Sequence, residues 1–341
     1  MAEVSHSLPS GAPAAAEASA PRVLVQRIDS AQARRDELAA GLLAQPARIN
    51  PKFFYDAQGC ALYEAICQLD EYYPPRTEAA IFERHQREIA AALPRHAQLV
   101  DLGCGDGAKA WRWIEALAVR RYVGVDIAEP WLRDTLRRGE QRFPAVAFSG
   151  VVTDFTRGLA LQQALHENLP RIFFYPGSSI GNFDRDAARR LLHEVRTHLR
   201  AGDGLLIGVD APKARERLLA AYDDALGVTA AFNLNVLRVV NRELGSSFEP
   251  AAFAHRAIFN EAHSRIEMQL VARRATEVRL GEHGTRRFAA GEPIVTEHSY
   301  KHSAAAFGQL LAEAGFGDVR HWSDEHGGYG VFVAAPGAYR Q

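Results

Sequence analysis

The chain opens with polar and small residues and then settles into a rhythm of short, wholly apolar runs alternating with amphipathic stretches. This is the pattern of strands buried on both faces and joined by helices. The apolar runs are Leu99–Leu102, Tyr122–Val125, Val146–Val152, Arg171–Tyr175 and Gly204–Asp210. Helical spacing falls between them at Ala108–Leu117, Glu129–Arg138 and Asp186–Leu199. Upstream, Ser30–Leu43 reads as a helix with Ala31, Leu38, Leu42 and Leu43 on its packed face, and Thr77 is placed to cap a helix carrying Ala79, Ile81 and Phe82 toward Ile89. After the fifth run the rhythm breaks. From about Lys213 to Tyr300 helical patterns through Tyr222 and Leu237 give way to alternating strands around Ala257–Phe259, Ile266–Leu270 and Glu277–Leu280. A helix at Ala304–Ala314 and strands at Asp318–Ser323 and Gly330–Ala335 complete the pattern. The expectation is an α/β fold in which a doubly wound sheet (77–212 and 301–341) carries a discontinuous α+β unit (27–76 and 213–300), with 1–26 as a disordered tail.

Bulk properties narrow the partners. At 341 residues the chain can form two domains with real cores. A net charge of −1, from 40 basic and 41 acidic residues, builds no field for nucleic acid or an anionic membrane, so a small molecule is the expected partner and a monomer the expected state. Met1–Pro21 is rich in alanine, proline and serine and lacks the basic start and apolar core of a signal peptide. No later run approaches the ~20 apolar residues that span a bilayer, and a cytoplasmic location is expected. Cys60, Cys67 and Cys104 give neither a disulfide framework nor a metal set and read as reduced small side chains.

The candidate chemistry begins where the first strand of the sheet stops in glycines, Leu99-Val100-Asp101-Leu102-Gly103-Cys104-Gly105-Asp106-Gly107. Glycines there let the backbone pass close to a nucleotide-like ligand, and Asp126, about twenty residues on at the end of the next strand, is placed to accept both hydroxyls of a ribose. A dinucleotide and S-adenosylmethionine both fit that geometry. Asp106 inside the loop disfavours a pyrophosphate and suits the cationic amino-acid end of S-adenosylmethionine. The loop resembles motif I of the class I methyltransferases. Asp154-Phe155, after the third strand, reads either as an adenine contact, acid to the exocyclic amine and ring to the face, or as a helix cap beside a core phenylalanine. The run into Pro176-Gly177-Ser178-Ser179-Ile180-Gly181-Asn182 brings an amide to the carboxyl end of the fourth strand, either as a ligand contact or as a turn asparagine. Tyr55 and Tyr72 sit in turn-like settings that serve equally as packing plugs or as walls of a polar site.

Assembled, these stretches resemble the histidine Nα-methyltransferases of ergothioneine biosynthesis, over about Arg48–Ala335. The specific features are Phe54-Tyr55-Asp56, Glu71-Tyr72-Tyr73-Pro74, the glycine loop, Gly177–Phe183, Ala221-Tyr222-Asp223-Asp224, Asn235-Val236-Leu237, Asn241-Arg242-Glu243-Leu244 and Thr296-Glu297-His298-Ser299. The resemblance implies a Rossmann-like class I sheet and three methyl transfers from S-adenosylmethionine to the α-amine of L-histidine, giving hercynine. It implies that Asn182 and Tyr222 hold the substrate carboxylate, that Glu297 and Ser299 meet the imidazole, and that Met268 contacts the ring, although core packing explains a methionine equally well. Tyr55, Tyr72 and Gly177 fall at pocket positions, with Tyr55, Gly177 and Asn182 beside the transferred methyl. Tyr55 is left as base or wall. The cofactor set is Gly103, Gly105, Lys109, Asp126, Asp154, Phe155 and Tyr175, and no metal is called for. Related enzymes methylate tryptophan on this scaffold. Glu297 with Met268 argues for histidine, because an indole has no acceptor to offer Ser299 and little use for a buried carboxylate. A tryptophan-type substrate and a non-catalytic binder are the alternatives.

Overall fold

The computed structural model describes residues 21–26 and 30–338. In chain order, β1 (Arg22–Val25), α1 (Ala31–Leu43), β2 (Ala47–Arg48), α2 (Ala57–Ile66) and α3 (Pro74–Ala91) lead into the wound sheet. That sheet continues through β3 (Gln98–Leu102), α4 (Ala108–Ala116), β4 (Arg121–Asp126), α5 (Glu129–Arg142), β5 (Ala147–Val152), β6 (Arg171–Tyr175), α6 (Arg185–Thr197) and β7 (Gly204–Asp210). The chain then leaves through α7 (Arg215–Tyr222), α8 (Val228–Leu244), β8 (Phe253–Asn260), β9 (Arg265–Ala272), β10 (Thr276–Arg279), β11 (Thr285–Phe288) and β12 (Pro293–Tyr300). It returns as α9 (Ala304–Glu313), β13 (Phe316–Ser323) and β14 (Tyr329–Pro336).

Eight strands form the large sheet in the order β1-β5-β4-β3-β6-β7-β14-β13, with β14 alone running antiparallel to its neighbours. Every residue of β3 and β7 is buried, because helices cover both faces. One face packs Ile81, Phe82, Trp113, Leu132 and Leu136 from α3, α4 and α5. The other packs Leu191, Val195, Phe307 and Leu311 from α6 and α9. The order reverses between β3 and β6, so the carboxyl ends of these strands open a crevice at a topological switch point. Over that edge hangs a second, four-stranded sheet, β2-β12-β9-β8, whose core draws on Leu38–Tyr73 and Leu218–Ile294. The excursion leaves and returns at one place: the His302 N–H donates to the Asp210 carbonyl at 2.9 Å, and Lys301 pairs with the Asp210 carboxylate at 2.8 Å.

Two expectations are corrected. The tail is shorter than 26 residues, because Arg22–Val25 pairs in parallel with Ser149–Val152 and closes the sheet edge; residues 1–20 lie outside the described set. Thr77 is not the cap of α3. Pro74 and Pro75 fill the first helical positions, where a missing N–H costs nothing, so the helix starts a turn earlier and Thr77 N–H bonds back to the Tyr73 carbonyl at 3.0 Å. The strand read around Glu277–Leu280 is found as β10, which pairs with β11 in a separate two-stranded ribbon.

Candidate active site

On the cofactor side, the sheet turns its sequence motif into a cradle. After β3 the loop passes through Gly103 and Gly105, both exposed and both in the left-handed region (φ +68° and +51°), and a side chain at Gly105 would meet only open space. Asp106 caps the following helix, its Oδ1 accepting from Ala108 N–H at 3.0 Å. Asp126 ends β4. Its Oδ2 accepts from Gly105 N–H at 3.1 Å and its Oδ1 from Ala128 N–H at 2.9 Å, so the carboxylate is fixed and each oxygen keeps a lone pair for a ribose diol. Burial raises its carboxyl above the ordinary range, and the two N–H groups oppose that rise. This open glycine turn with an anchored acid beside it fits a ribosyl ligand.

Asp154 and Phe155 follow β5. The Asp154 carboxylate accepts from Lys52 Nζ at 3.0 Å, and Lys52 also reaches Glu37 at 2.7 Å. Phe155 packs edge-on against Tyr175, the last residue of β6, with centroids 5.8 Å apart. Next to Asp154 a hollow runs between Phe53 and Tyr55 on one side and Ile127 and Trp131 on the other. Ile127 and Trp131 carry no local motif and escaped sequence reasoning. Lys109, on α4, donates to Glu78 at 3.0 Å.

On the substrate side, all eight residues named from the sequence line one cleft of about 610 Å³ counted to its open mouth. They come from separate elements. Tyr55 precedes α2, whose cap Asp56 accepts from Gly59 N–H at 2.8 Å and is held by Asn235 and Arg242. Tyr72 meets Tyr222 edge-on at 6.0 Å, and Tyr63, unremarked in the sequence, links Tyr55 to Tyr72 at 6.0 and 6.4 Å. Gly177 begins the turn after β6 with φ +78°. Its N–H donates to Glu78 at 2.8 Å, and a Cβ there would lie 2.9 Å from Lys109 Nζ. Asn182 ends that turn half-buried, and Ser178 Oγ ties the turn to β7 by accepting from Asp210 N–H at 2.9 Å.

Glu297 and Ser299 reach the cleft from β12, and Glu297 pairs across to Met268 on β9. Burial pushes the Glu297 carboxyl up to about 7, against the pull of the Lys301 ammonium. Ser299 Oγ lies 2.7 Å from the Tyr222 hydroxyl, and Lys301 Nζ donates to both, at 2.8 and 3.0 Å. The Tyr55 hydroxyl is held well above its usual range, by burial first and by Glu297 second, which disfavours a phenolate there. Glu78, Asp210 and Lys301 went unmarked in the sequence, since their partners lie far away along the chain. Among the described residues no group of three or more His, Cys, Asp or Glu is placed to hold a metal, and no helix is long and apolar enough to cross a membrane.

A wound sheet with a glycine turn after its first motif strand, an anchored acid after the next, and a polar cleft facing both defines a class I S-adenosylmethionine-dependent methyltransferase. The chain belongs to the family described as histidine-specific methyltransferase, SAM-dependent, whose sequence model matches residues 34–336. It is 39% identical over 308 residues to the histidine N-alpha-methyltransferase of Mycobacterium tuberculosis, covering 89% of this chain and 95% of that one. A protein of the same name from Mycolicibacterium smegmatis is 39% identical over 310 residues, with the same coverage. Ergothioneine biosynthesis protein 1 of Neurospora crassa is 29% identical over 290 residues, covering 82% of this chain and 32% of that protein.

Proposed function

We propose that this protein transfers three methyl groups from S-adenosylmethionine to the α-amine of L-histidine, giving hercynine, as the first step of ergothioneine biosynthesis. The observation that carries the reading is the convergence of a carboxylate, an amide, hydroxyls and tyrosine rings from the turns, helices and second sheet on one cleft beside the cofactor cradle. In it, 27–76 and 213–300 act as the substrate-binding unit, and 77–212 with 301–341 as the cofactor unit. The chain works as a monomer on a free small molecule in the cytoplasm, without nucleic acid or membrane.

Asn182 donates its side-chain amide to the substrate carboxylate, together with the Tyr222 hydroxyl. Glu297 and Ser299 meet the two sides of the imidazole, one accepting and one completing the polar edge, while Met268 lies against the ring. The cofactor is held by the turn at Gly103 and Gly105, by Asp126 at the ribose, by Asp154 and Phe155 at the adenine, and by Lys109 and Tyr175 toward the methionyl end. When bound, it supplies a methyl carbon on a sulfonium. Tyr55, Gly177 and Asn182 then keep the amine in line with that carbon, which is the main requirement for such a displacement. The amine proton leaves to solvent, since an α-amine with a pKa of about 8 needs no strong base. Neighbouring tyrosine faces suit the growing positive ammonium, whose loss of N–H donors they tolerate. Mass spectrometry of histidine incubated with the protein and cofactor tests this: successive additions of one, two and three methyl groups support it, and unchanged histidine overturns it.

A further inference from the structure

Lys301 closes β12 with no exposed surface, directly behind the cleft wall. An ammonium has three hydrogens to donate, and all three are used: Asp210 Oδ2 at 2.8 Å, Ser299 Oγ at 2.8 Å and the Tyr222 hydroxyl at 3.0 Å. Burial works against its charge, but Asp210 and Tyr222 outweigh that and hold the ammonium above its ordinary range. Asp210 is shared. Its other oxygen pairs with Lys213, and Tyr73 donates at 2.7 Å to the oxygen that Lys301 uses, so two ammonium groups share this carboxylate beneath Tyr222, and Glu297 is the further acid that feels the Lys301 charge. The hydrogen count then fixes the hydroxyls. Each accepts from Lys301, one of their two hydrogens closes the 2.7 Å contact between them, and the other is left to point into the cleft.

We propose that Lys301 is a positioning residue for the substrate carboxylate. By donating to both hydroxyls it turns the spare hydroxyl hydrogen toward the substrate, and it backs that donor with its positive charge. It does not touch the substrate itself. The inference rests on the histidine reading above and adds to it a charge that no cleft-lining side chain supplies.

The test compares L-histidine with L-histidinamide, which keeps the amine and imidazole and lacks the anionic carboxylate. Initial rates for both are measured at one pH in the wild type, Lys301→Met, Lys301→Gln and Lys301→Arg; in every variant Asp210 keeps Lys213 as its partner. Lys301→Met and Lys301→Gln are expected to raise KM for histidine, Lys301→Met by roughly tenfold or more, with kcat changed far less, as for a lost charged hydrogen bond. The preference for histidine over histidinamide should fall by the same factor, Lys301→Arg should restore part of it, and calorimetry should give unchanged affinity for S-adenosylhomocysteine. A general structural loss would lower both substrates together. An undiminished preference in whichever of the charge-removing variants folds overturns the role of Lys301. A wild type that methylates neither compound overturns the histidine reading, and this inference with it.

Discussion

Glu297 on β12 and Met268 on β9 stand directly opposite each other in the antiparallel pairing, so one cross-strand pair sets a carboxylate beside a thioether on the cleft wall. Every α-amino acid offers the same amine and carboxylate, and discrimination has to come from the side-chain end that this pair faces. A site built to hydrogen-bond a substrate group rejects analogues lacking it by up to ~10⁴-fold. Glu297→Ala is expected to raise KM for histidine far more than for S-adenosylmethionine and to relax rejection of phenylalanine and tryptophan, most clearly when Met268 is also made smaller. Initial rates across these amino acids decide it; an unchanged preference for histidine would move selection to Tyr55 or Tyr72.

The same carboxyl should leave a mark on stability. Its pKa rises from 4.5 to about 7 on folding because burial penalises the charge. A raised acid pKa means that the folded state binds more protons between these values, so stability falls as pH climbs from about 4.5 through 7 and the penalty is complete above that. Glu297→Gln carries no such penalty. Its melting temperature relative to wild type should rise between pH 5 and pH 8, with a ceiling of ~3 kcal/mol at 1.36 kcal/mol per unit, lowered by the group's opening to the cleft. A flat difference across that range would show that the carboxylate is not desolvated.

On the proposed function Asn182 meets the substrate carboxylate, which methylation leaves unchanged. Asn182→Ala should therefore weaken histidine and its monomethyl and dimethyl derivatives alike, by about 1.5–3 kcal/mol for a hydrogen bond to a charged group. Calorimetry on the S-adenosylhomocysteine complex reads all three. Unaltered affinity would remove Asn182 from the site.

Asp106 in the glycine loop separates the cofactor classes, while Asp126 serves the ribose of either. The protein should bind S-adenosylhomocysteine and not NAD, and Asp126→Ala should weaken the former by roughly 10–100-fold, through the lost ribose acceptor and the released Gly105 and Ala128 N–H groups. Tight NAD binding by the wild type would place the chain among oxidoreductases.

Gly177 is constrained by backbone and by space. A side chain there meets both the φ of +78° and the Lys109 ammonium at 2.9 Å. Gly177→Ala is expected to cost ~1–2 kcal/mol of stability and to lower kcat by shifting the turn that carries Asn182. A wild-type kcat in a folded variant would show that the turn adapts without moving the amide.

The sheet was legible because burial on both faces writes its strands as unbroken apolar runs. β7 was expected and found at Gly204–Asp210, and the limits of β6 also agree. β1 was not legible, since four residues at the end of an alanine-proline tail carry too little pattern and acquire meaning only against Ser149–Val152. The cleft residues were found through short motifs whose members the fold brings together. Glu78 was missed for the opposite reason. It sits in an ordinary amphipathic helix, and its partners Gly177 and Tyr329 are 99 and 251 residues away. Lys301 belongs to no sequence motif, and its place is set by Asp210 and Tyr222, which the fold brings to it from distant elements.

The excursion that carries Glu297 and Met268 departs after Asp210 and rejoins the sheet at Lys301 and His302, whose bonds to Asp210 cinch its neck. To the large sheet it is thermodynamically a closed loop. Lengthening such a loop costs only about 0.6 kcal/mol per doubling, so its contents are nearly invisible to the stability of the scaffold beneath. Selection at the side-chain end of the cleft is therefore free to drift, through insertions, deletions and wholesale rewriting between those anchor points, while the cofactor cradle stays put. Grafting the segment between Asp210 and Lys301 from one relative into another is the natural way to exchange specificities, provided that the clasp at its neck is transferred whole.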